Sequence, residues 1–450
     1  MPRQFNMHAL CRFTALTALC FATHTIAASE ELSQSIQAHY DDRLQAVFED
    51  FHAHPELSLA EFRTAKKLAG ALRKHGFTVT ENVGGTGIVA ILENGQGPLV
   101  MMRADMDGLP IKEKSGLNYA SEDSQLDPVT GNTFPVMHAC GHDVHITSLI
   151  GTAKQMSDRR QDWSGTLMLI GQPAEERVLG ARAMVEDDLW ERFGKPDYAM
   201  AFHVSSALPS GVVNVIEGSP FAGADTVDIY VHGIGAHGAS PHAGKDPIVL
   251  GSQIVIALQT LVSRELPPRQ PGVVTVGAFH SGTKHNIISD SAHLQLTVRN
   301  TSAPTRDLLL SGISRIAENL GRAAGLPEDK LPDVIYSAES TPPTINNAVM
   351  ARRLRTLWRA TMGEDRVMAL GAEGMGAEDF PFFTTDPEIP SVYFSVGGTD
   401  RDYLTAAAEG SGPAVPSHHS PIFSIQPEPA ITVGIQATVL ALLDLMAQPE

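Results

Sequence analysis

The sequence predicts an α/β fold, in which a helix-covered, mostly parallel sheet carries an inserted ferredoxin-like α+β domain. Strand-like apolar runs alternate with helical patterns up to about residue 217, as in parallel sheets covered by helices. The order then changes to β-α-β-β-α-β in residues 218–338, which is the order of ferredoxin-like units. At 450 residues the chain is also too long for one compact core.

Residues 1–28 have the layout of a cleavable signal peptide. Arg3 and Arg12 come first, an apolar run follows in residues 13–22, and a small residue stands at Ala28. We therefore expect secretion, to the periplasm, with cleavage near Ala28. The alternative is a frayed cytosolic N-terminus.

Cysteine usage agrees with a metal-binding role for one thiol. Cleavage would remove Cys11 and Cys20 and leave Cys140, which excludes a disulfide framework. A single thiol in an oxidising compartment is protected when it binds a metal.

Composition and charge exclude several classes of partner. The hydrophobic content of 43% and charged content of 19% are typical of a soluble globular protein. A net charge of −18 argues against nucleic acid and against an anionic membrane surface, because no basic excess exists to neutralise phosphates. We also expect no apolar stretch long enough for a stable membrane span.

The first part of the sheet domain spans residues 29–217. Ser58 and Glu61 form a predicted capping box at the start of the second helix, and Gly76 is placed to end that helix. The remaining predicted elements are a helix at 32–51, strands at 87–92 and 98–102, a helix from 144, a strand at 166–170, a helix at 181–190 and a strand at 198–202.

Acidic residues and a histidine follow three of these strands. They are Asp105, Asp107, Glu175, Glu176 and His203. Because ligands bind outside the carboxyl ends of parallel strands, we expect these side chains to share one edge of the sheet.

The inserted domain spans residues 218–338. Its predicted elements are strands at 224–232, 273–279, 292–298 and 333–336 and helices at 247–264 and 304–323. Asp246 is a predicted N-cap before Pro247. The α/β pattern resumes in residues 339–450 and ends in a helix at 430–446.

A dense group of potential metal ligands lies in the segment MHACGHDVH. The pair Cys140-x-His142 suits zinc or a neighbouring transition metal. Taken singly, His138 and His145 are more ordinarily packing residues, and Cys140 could be a small buried hydrophobe. Their occurrence together with the acidic strand ends favours a site over these separate explanations.

A hydrolytic metal site needs ligands, an open position for water and a free carboxylate that takes the proton of that water. Adjacent Glu175 and Glu176 could divide these tasks, although by themselves they could be a solvated pair opening a helix. Cys140, as a thiolate, could bridge two metals.

The chain resembles the amidohydrolase branch of the dinuclear-metal aminoacylase and carboxypeptidase family. The resemblance lies in seven motifs in the family's order, which are RADMDGLP, MHACGHDVH, GQPAEE, AFHV, GAHGASPHAGKDP, GAEDF and HSP. This branch includes hippurate hydrolases, indole-acetyl-amino-acid hydrolases and N-acetyl-diaminopimelate deacetylases. The resemblance covers nearly the whole chain after residue 28.

The resemblance implies a set of roles for the sheet domain. The implied metal ligands are Cys140, His142, Glu176, His203 and His419. Glu175 is implied as the general base and Asp107 as an orienting carboxylate, although Asp105 could equally fill the second role. His419 is chosen over His418 because it directly precedes Ser420-Pro421, as the family's C-terminal ligand precedes a similar pair.

The resemblance also implies roles for the inserted domain, as a lid and dimerisation domain. His237 would stabilise the oxyanion, commonly reaching across a homodimer into the partner's site, although it could be a structural turn histidine. Asn286, Arg299 and His242 would line the substrate site, while Arg299 could instead pair within its sheet.

The implied activity is metal-dependent amide cleavage of an N-acyl amino acid, or of a dipeptide, with two divalent metal ions per subunit. Zinc is the first choice, and manganese, cobalt or nickel are alternatives. Cys140 stands where the wider family usually has aspartate, which favours N-acyl amino acids over long peptides. A non-catalytic ligand-binding relative is the alternative class, but a binder needs neither the Glu175 base nor the His237 oxyanion donor.

Overall fold

The computed structural model describes residues 29–371 and 374–448. The predicted signal peptide therefore lies outside the described residues. The strands, in chain order, are β1 (Thr78–Val83), β2 (Gly87–Asn94), β3 (Leu99–Asp105), β4 (Ser124–Leu126), β5 (Thr133–Pro135), β6 (Gly165–Gln172), β7 (Tyr198–Pro209), β8 (Val213–Asn214), β9 (Gly218–Phe221), β10 (Gly223–His232), β11 (Ala236–His237), β12 (Gly272–Ser281), β13 (Ile287–Ile288), β14 (Ser291–Asn300), β15 (Asp333–Tyr336), β16 (Thr344–Asn346), β17 (Val367–Met368) and β18 (Ser391–Thr399).

Twelve α-helices accompany these strands in the described part of the chain. They are α1 (29–39), α2 (Gln45–Ala53), α3 (Phe62–Lys74), α4 (His142–Asp158), α5 (Gly180–Glu186), α6 (Leu189–Phe193), α7 (Pro247–Thr260), α8 (Ala303–Ala323), α9 (Ala348–Met362), α10 (Pro381–Thr384), α11 (Arg401–Ala408) and α12 (Pro427–Leu445). A π-helical turn at Tyr40–Leu44 joins α1 to α2, so the predicted helix at 32–51 is one continuous helical segment.

The larger domain is built on an eight-stranded sheet, which confirms the predicted α/β class. Its spatial order is β1-β2-β6-β3-β7-β18-β8-β17. The four central strands β6, β3, β7 and β18 run parallel to one another, while β2 pairs antiparallel with β6 at one side. The carboxyl ends of these parallel strands therefore meet at one edge, as expected.

Helices α4 and α12 cover one face of this sheet and fill its core. Val144, Ile146 and Leu149 of α4 and Ile435 and Leu442 of α12 are at most 1% exposed and belong to one apolar cluster with the strand side chains. Burial of this kind contributes about 1.5–3 kcal/mol for each large apolar side chain. The core therefore fixes the N-terminus of α4, which begins at His142.

The second sheet has four antiparallel strands in the order β12-β14-β10-β15. Helices α7 and α8 pack against it through a separate apolar cluster that includes Val227, Ile254 and Ile313. The chain order β10-α7-β12-β14-α8-β15 is the ferredoxin-like order predicted for residues 218–338. The residue boundaries of the predicted domains, and the lid and dimerisation roles, remain predictions.

The predicted capping box is wrong. Helix α3 has Glu61 as its N-cap with no side-chain capping bond, and the first-turn N–H groups of Arg63 and Thr64 instead donate to the carboxylate of Glu56, at 3.0 and 2.7 Å. Ser58 and Glu61 turn towards other parts of the chain.

Two described helical segments pass a length and composition test for a membrane span. They are Pro247–Glu265 and Pro427–Leu445, each with a mean hydropathy of 1.3 over 18 residues. The sequence had been expected to contain no such stretch. The second segment is 67% buried in the protein, as the core helix of a globular domain is.

Candidate active site

The turn that carries Cys140 and His142 depends on a glycine between them. Gly141 has φ 88°, and a Cβ there would lie 2.4 Å from Cγ1 of Val204. Only glycine therefore fits between these two side chains. Cys140 Sγ lies 3.4 Å from Nε2 of His203, and the donor atoms of Cys140, His142 and His203 all lie within 4.8 Å of one another.

A second group of potential ligands shares the same thiol. Donor atoms of Cys140, Glu176 and His419 also lie within 4.8 Å of one another, and Nε2 of His419 is 3.4 Å from Oε2 of Glu176. Because Cys140 belongs to both groups, its sulfur is placed where one atom can contact two ions. His418 belongs to no such group in the described part of the chain; its Nε2 instead accepts a hydrogen bond from the backbone N–H of Ser206, at 3.3 Å.

The Glu175–Glu176 turn is held between two residues with left-handed backbone. Ala174 has φ 48° and Val178 has φ 54°, which is uncommon for residues other than glycine. The backbone N–H groups of Glu175 and Glu176 both donate to the carboxylate of Asp107, at 3.2 and 3.0 Å. The direction of both glutamates is therefore determined by a neighbouring loop.

Asp107 and Asp105 have different partners. Nδ1 of His142 lies 2.8 Å from the backbone carbonyl oxygen of Asp107 and 3.4 Å from its carboxylate. Asp105 pairs with Arg103, at 2.6 Å, and with Nδ1 of His145. Burial opposes ionisation of Asp105, but the charges of Arg103, His142 and His145 outweigh it and hold its pKa well below the usual value. Asp107 is thus the carboxylate that contacts the glutamate turn.

The two other histidines of the MHACGHDVH segment, His138 and His145, are also buried. His145 contacts Asp105 through Nδ1, and its Nε2 accepts the backbone N–H of Val204 at 2.9 Å. Both ring nitrogens of His138 are buried without a hydrogen-bond partner among the described residues. Burial lowers the pKa of His138 to about 4, so its ring is neutral.

The donor set fits divalent cations. Nε2 of His142 and Oε1 of Glu176 are buried, and neither has a hydrogen-bond partner among the described residues. Burial, with Glu176 and Glu175 close by, raises the pKa of the Cys140 thiol well above its usual value. A thiol among carboxylates becomes a good ligand only when cations offset the negative charge, and sulfur with imidazole suits zinc and its neighbours.

A buried network of charged side chains, which the sequence analysis did not predict, lies next to Glu175. Arg103 on β3 is fully buried and donates to Glu378 at 2.7 Å and to Gln172 at 2.6 Å. Glu378 also accepts the hydroxyl of Tyr393 at 2.7 Å. Burial, followed by the charges of Glu378 and Glu176, raises the pKa of Glu175 well above the usual carboxyl value. The GAEDF motif was the only sequence signal for Glu378.

The clustered side chains open into a cavity of about 630 Å³. Its lining includes the polar side chains of Cys140, Glu175, Glu176, His203 and His419 and the apolar side chains of Val178, Leu208, Ile216, Phe221 and Leu370. A second cavity of about 340 Å³ adjoins it and shares Glu176 and Arg299. Ligand cavities of this kind combine apolar walls with a few polar groups.

The structure brings only one of the four inserted-domain candidates to these cavities. Arg299 lines both cavities, and its guanidinium has no hydrogen bond or ion pair with another described residue, although the charge of Asp225 acts on it. His237 and His242 are exposed, and Asn286 accepts the N–H of Gly238 beside His237. His237, Asn286 and His242 are absent from the lining of both cavities within this subunit.

Comparisons with known proteins agree with this geometry. Residues 101–409 match the sequence model of peptidase family M20/M25/M40. The chain is 36% identical over 345 residues to a hippurate hydrolase of Campylobacter jejuni, covering 76% of this chain and 85% of that protein. It is 36% identical over 362 residues to thermostable carboxypeptidase 2 of Saccharolobus solfataricus, covering 79% and 86%.

A solved structure shares the fold. The YXEP protein of Bacillus subtilis, a dinuclear metal-binding peptidase of family M20, superposes with a TM-score of 0.72 at 27% identity and covers 92% of this chain and 99% of its own. The family match spans more than half of the chain and reaches from β3 past β18. The chain therefore belongs to peptidase family M20/M25/M40 and is a metal-dependent hydrolase.

Proposed function

We propose that this protein hydrolyses the amide bond of N-acyl amino acids at a two-metal site. The observation that carries the proposal is the pair of donor groups that share Cys140, next to a buried Glu175, at the wall of a 630 Å³ cavity. Cys140, His142, Glu176, His203 and His419 would hold the ions. Two divalent cations, zinc first and manganese, cobalt or nickel as alternatives, would polarise the amide carbonyl and acidify a water molecule.

Glu175 is the residue that moves protons in this proposal. Its carboxylate takes a proton from the attacking water and, as the carboxylic acid, delivers that proton to the leaving nitrogen. Burial and the charges of Glu378 and Glu176 raise its pKa and favour the protonated form, which delivers the proton in the second step. Two cations beside it would favour the carboxylate that the first step needs. Asp107 orients Glu175 and Glu176 through their backbone N–H groups.

The cavity supports an acylated amino acid as substrate. Its apolar lining suits an acyl group, and the guanidinium of Arg299, which pairs with no described carboxylate, suits a free carboxylate in bidentate geometry. A relative of this chain is named hippurate hydrolase. A dipeptide has the same amide and carboxylate, and another relative is named a carboxypeptidase, so dipeptide hydrolysis is the second candidate.

A Glu175→Gln variant tests the proposal. Glutamine keeps the size of the side chain but cannot accept the proton, so hydrolysis should fall by at least about a hundredfold with metal content unchanged. Glu217→Gln makes the same change at an exposed carboxylate and should retain wild-type activity. Rates are measured on hippurate-like, acetyl and indole-acetyl amino acids and on dipeptides. A metal-loaded wild type that cleaves none of them contradicts the proposal.

We also propose that the protein is a homodimer. The proposal is supported by the position of His237, which is exposed and does not line either cavity of its own subunit. We expect it to reach the partner's site in a homodimer. Mixing Glu175→Gln with His237→Ala subunits should then restore about a quarter of wild-type activity, because half of the dimers are mixed and each has one complete site. No recovery, with subunit exchange verified, contradicts action across the dimer.

Secretion to the periplasm is proposed from residues 1–28. Expression of the full chain in a bacterial host, followed by fractionation and N-terminal sequencing, tests it. A new N-terminus at Ser29 in the periplasmic fraction is expected, and an intact cytosolic chain contradicts it.

A further inference from the structure

Three successive backbone N–H groups around the catalytic glutamates each donate to a buried carboxylate. Those of Glu175 and Glu176 bind Asp107, and the N–H of Ala174 donates to Oε1 of Glu61 at 2.8 Å. A buried backbone N–H group that is left without an acceptor costs free energy. The turn is therefore held in place by two acidic side chains from elsewhere in the chain.

Glu61 bonds at the strained end of this turn. It is fully buried, and its Oε1 also accepts the N–H of Leu59, at 3.0 Å, while Oε2 accepts the hydroxyl of Thr86. Ala174 has φ 48°, a left-handed conformation that costs free energy in a residue other than glycine. The bond from Glu61 supports this conformation directly before Glu175.

Ser58 acts on the other carboxylate. It is 5% exposed, and its hydroxyl donates to Oδ2 of Asp107 at 2.6 Å. The same oxygen accepts the N–H of Glu176. Ser58 therefore fixes the rotation of the carboxylate that holds Glu175 and Glu176.

Neither residue is needed to begin helix α3, because Glu56 binds the first-turn N–H groups of that helix. We propose that Ser58 and Glu61 are positioning residues of the metal site, which set the direction of Glu175 and Glu176 through Asp107 and Ala174. This inference rests on the proposed metal-binding role of Glu176.

The test measures zinc affinity by competition with a chromogenic chelator, together with kcat and the melting temperature of the metal-free protein. Ser58→Ala and Glu61→Met should each weaken zinc binding by about tenfold to hundredfold, the usual effect of losing a partner behind a ligand. Both variants should lower kcat more than they raise KM, because the side chains of Glu175 and Glu176 are no longer held in the direction that the reaction needs.

Two further variants separate positioning from general stability. Ser340→Ala removes a comparable hydroxyl, 5% exposed as in Ser58, which donates to the carbonyl oxygen of Ser337 at 2.9 Å, and should leave zinc affinity unchanged. Glu61→Gln keeps an oxygen that accepts the N–H of Ala174, so its zinc affinity should stay within about threefold of wild type.

The proposal is overturned if the zinc affinity of Ser58→Ala stays within about twofold of wild type. If Glu61→Met does not fold, the result for Ser58→Ala decides by itself. Equal loss of affinity in Ser340→Ala also overturns it. A wild type that binds zinc but cleaves no amide contradicts the proposed function and leaves the comparison of zinc affinities intact.

Discussion

Arg103→Met should destabilise the sheet domain by about 3–5 kcal/mol, the cost of removing one partner of a buried ion pair. The guanidinium is completely buried and donates to Gln172 at 2.6 Å, Asp105 at 2.6 Å, Glu378 at 2.7 Å and Tyr393 at 3.2 Å. Methionine has a similar length but neither charge nor donors. The buried carboxylates therefore lose their counter-charge, and each lost bond to a charged group contributes about 1.5–3 kcal/mol, with overlap between them.

Urea unfolding followed by tryptophan fluorescence measures this loss. The three tryptophans, Trp163, Trp190 and Trp358, lie outside residues 218–338, so the signal reports on the sheet domain. Arg353→Met is the matched control, because Arg353 pairs with Asp444 at 2.7 Å with side chains 47% and 27% exposed. An exposed pair contributes under about 1 kcal/mol.

A loss in Arg103→Met no larger than that in Arg353→Met would refute the reasoning, since it would mean that the buried carboxylates do not depend on the guanidinium. Arg103→Lys keeps the charge but not the planar fork of donors. Its loss should lie between those of the wild type and of Arg103→Met.

His39 should make stability depend on pH. Burial, followed by the charges of Lys154 and His75, lowers the pKa of His39 from 6.5 to about 4. As the pH falls from 6.5 towards 4, His39 therefore binds a proton in the unfolded chain but not in the folded protein. Proton binding then stabilises the unfolded state, so the free energy of unfolding decreases over this range. Between pH 7.5 and 5 the wild type should lose about 2 kcal/mol more than His39→Gln in urea titrations, and equal losses contradict this. Metal removal by a chelator should also lower the unfolding midpoint, because Glu176 and Cys140 lose their counter-charge. Zinc added at about a hundred times its Kd should restore about 2.7 kcal/mol, and an unchanged midpoint contradicts a folded-state zinc site.

The periodic parts of the fold could be predicted from the sequence. Apolar runs and helical spacing predicted the strands β3, β6 and β15 and the helices α8 and α12 to within a few residues. The predicted strand at 198–202 was too short, because β7 continues to Pro209, so His203 lies within the strand rather than after it. Pairing with β18 extends this strand, and such pairing is not visible in local sequence.

The residues of the site could be predicted only where they belong to a recognisable sequence motif. Cys140, His142, Glu176, His203 and His419 come together in space as the motifs indicated. Ser58 and Glu61 were misassigned because S-x-x-E is a local pattern, while their actual partners lie 49 and 113 residues away. Arg103 gave no signal of its own, since nothing in a strand sequence shows that Glu378 will meet it 275 residues later.

The ligands of the two donor groups lie on both sides of the inserted domain. Cys140, His142 and His203 precede it, whereas His419 follows it. Both groups nevertheless depend on the last part of the chain, because β18 pairs with β7 at His203 and α12 shares its core with α4, which begins at His142. Because domains generally fold as units, we expect neither group to be complete until the residues after the inserted domain have joined the sheet domain.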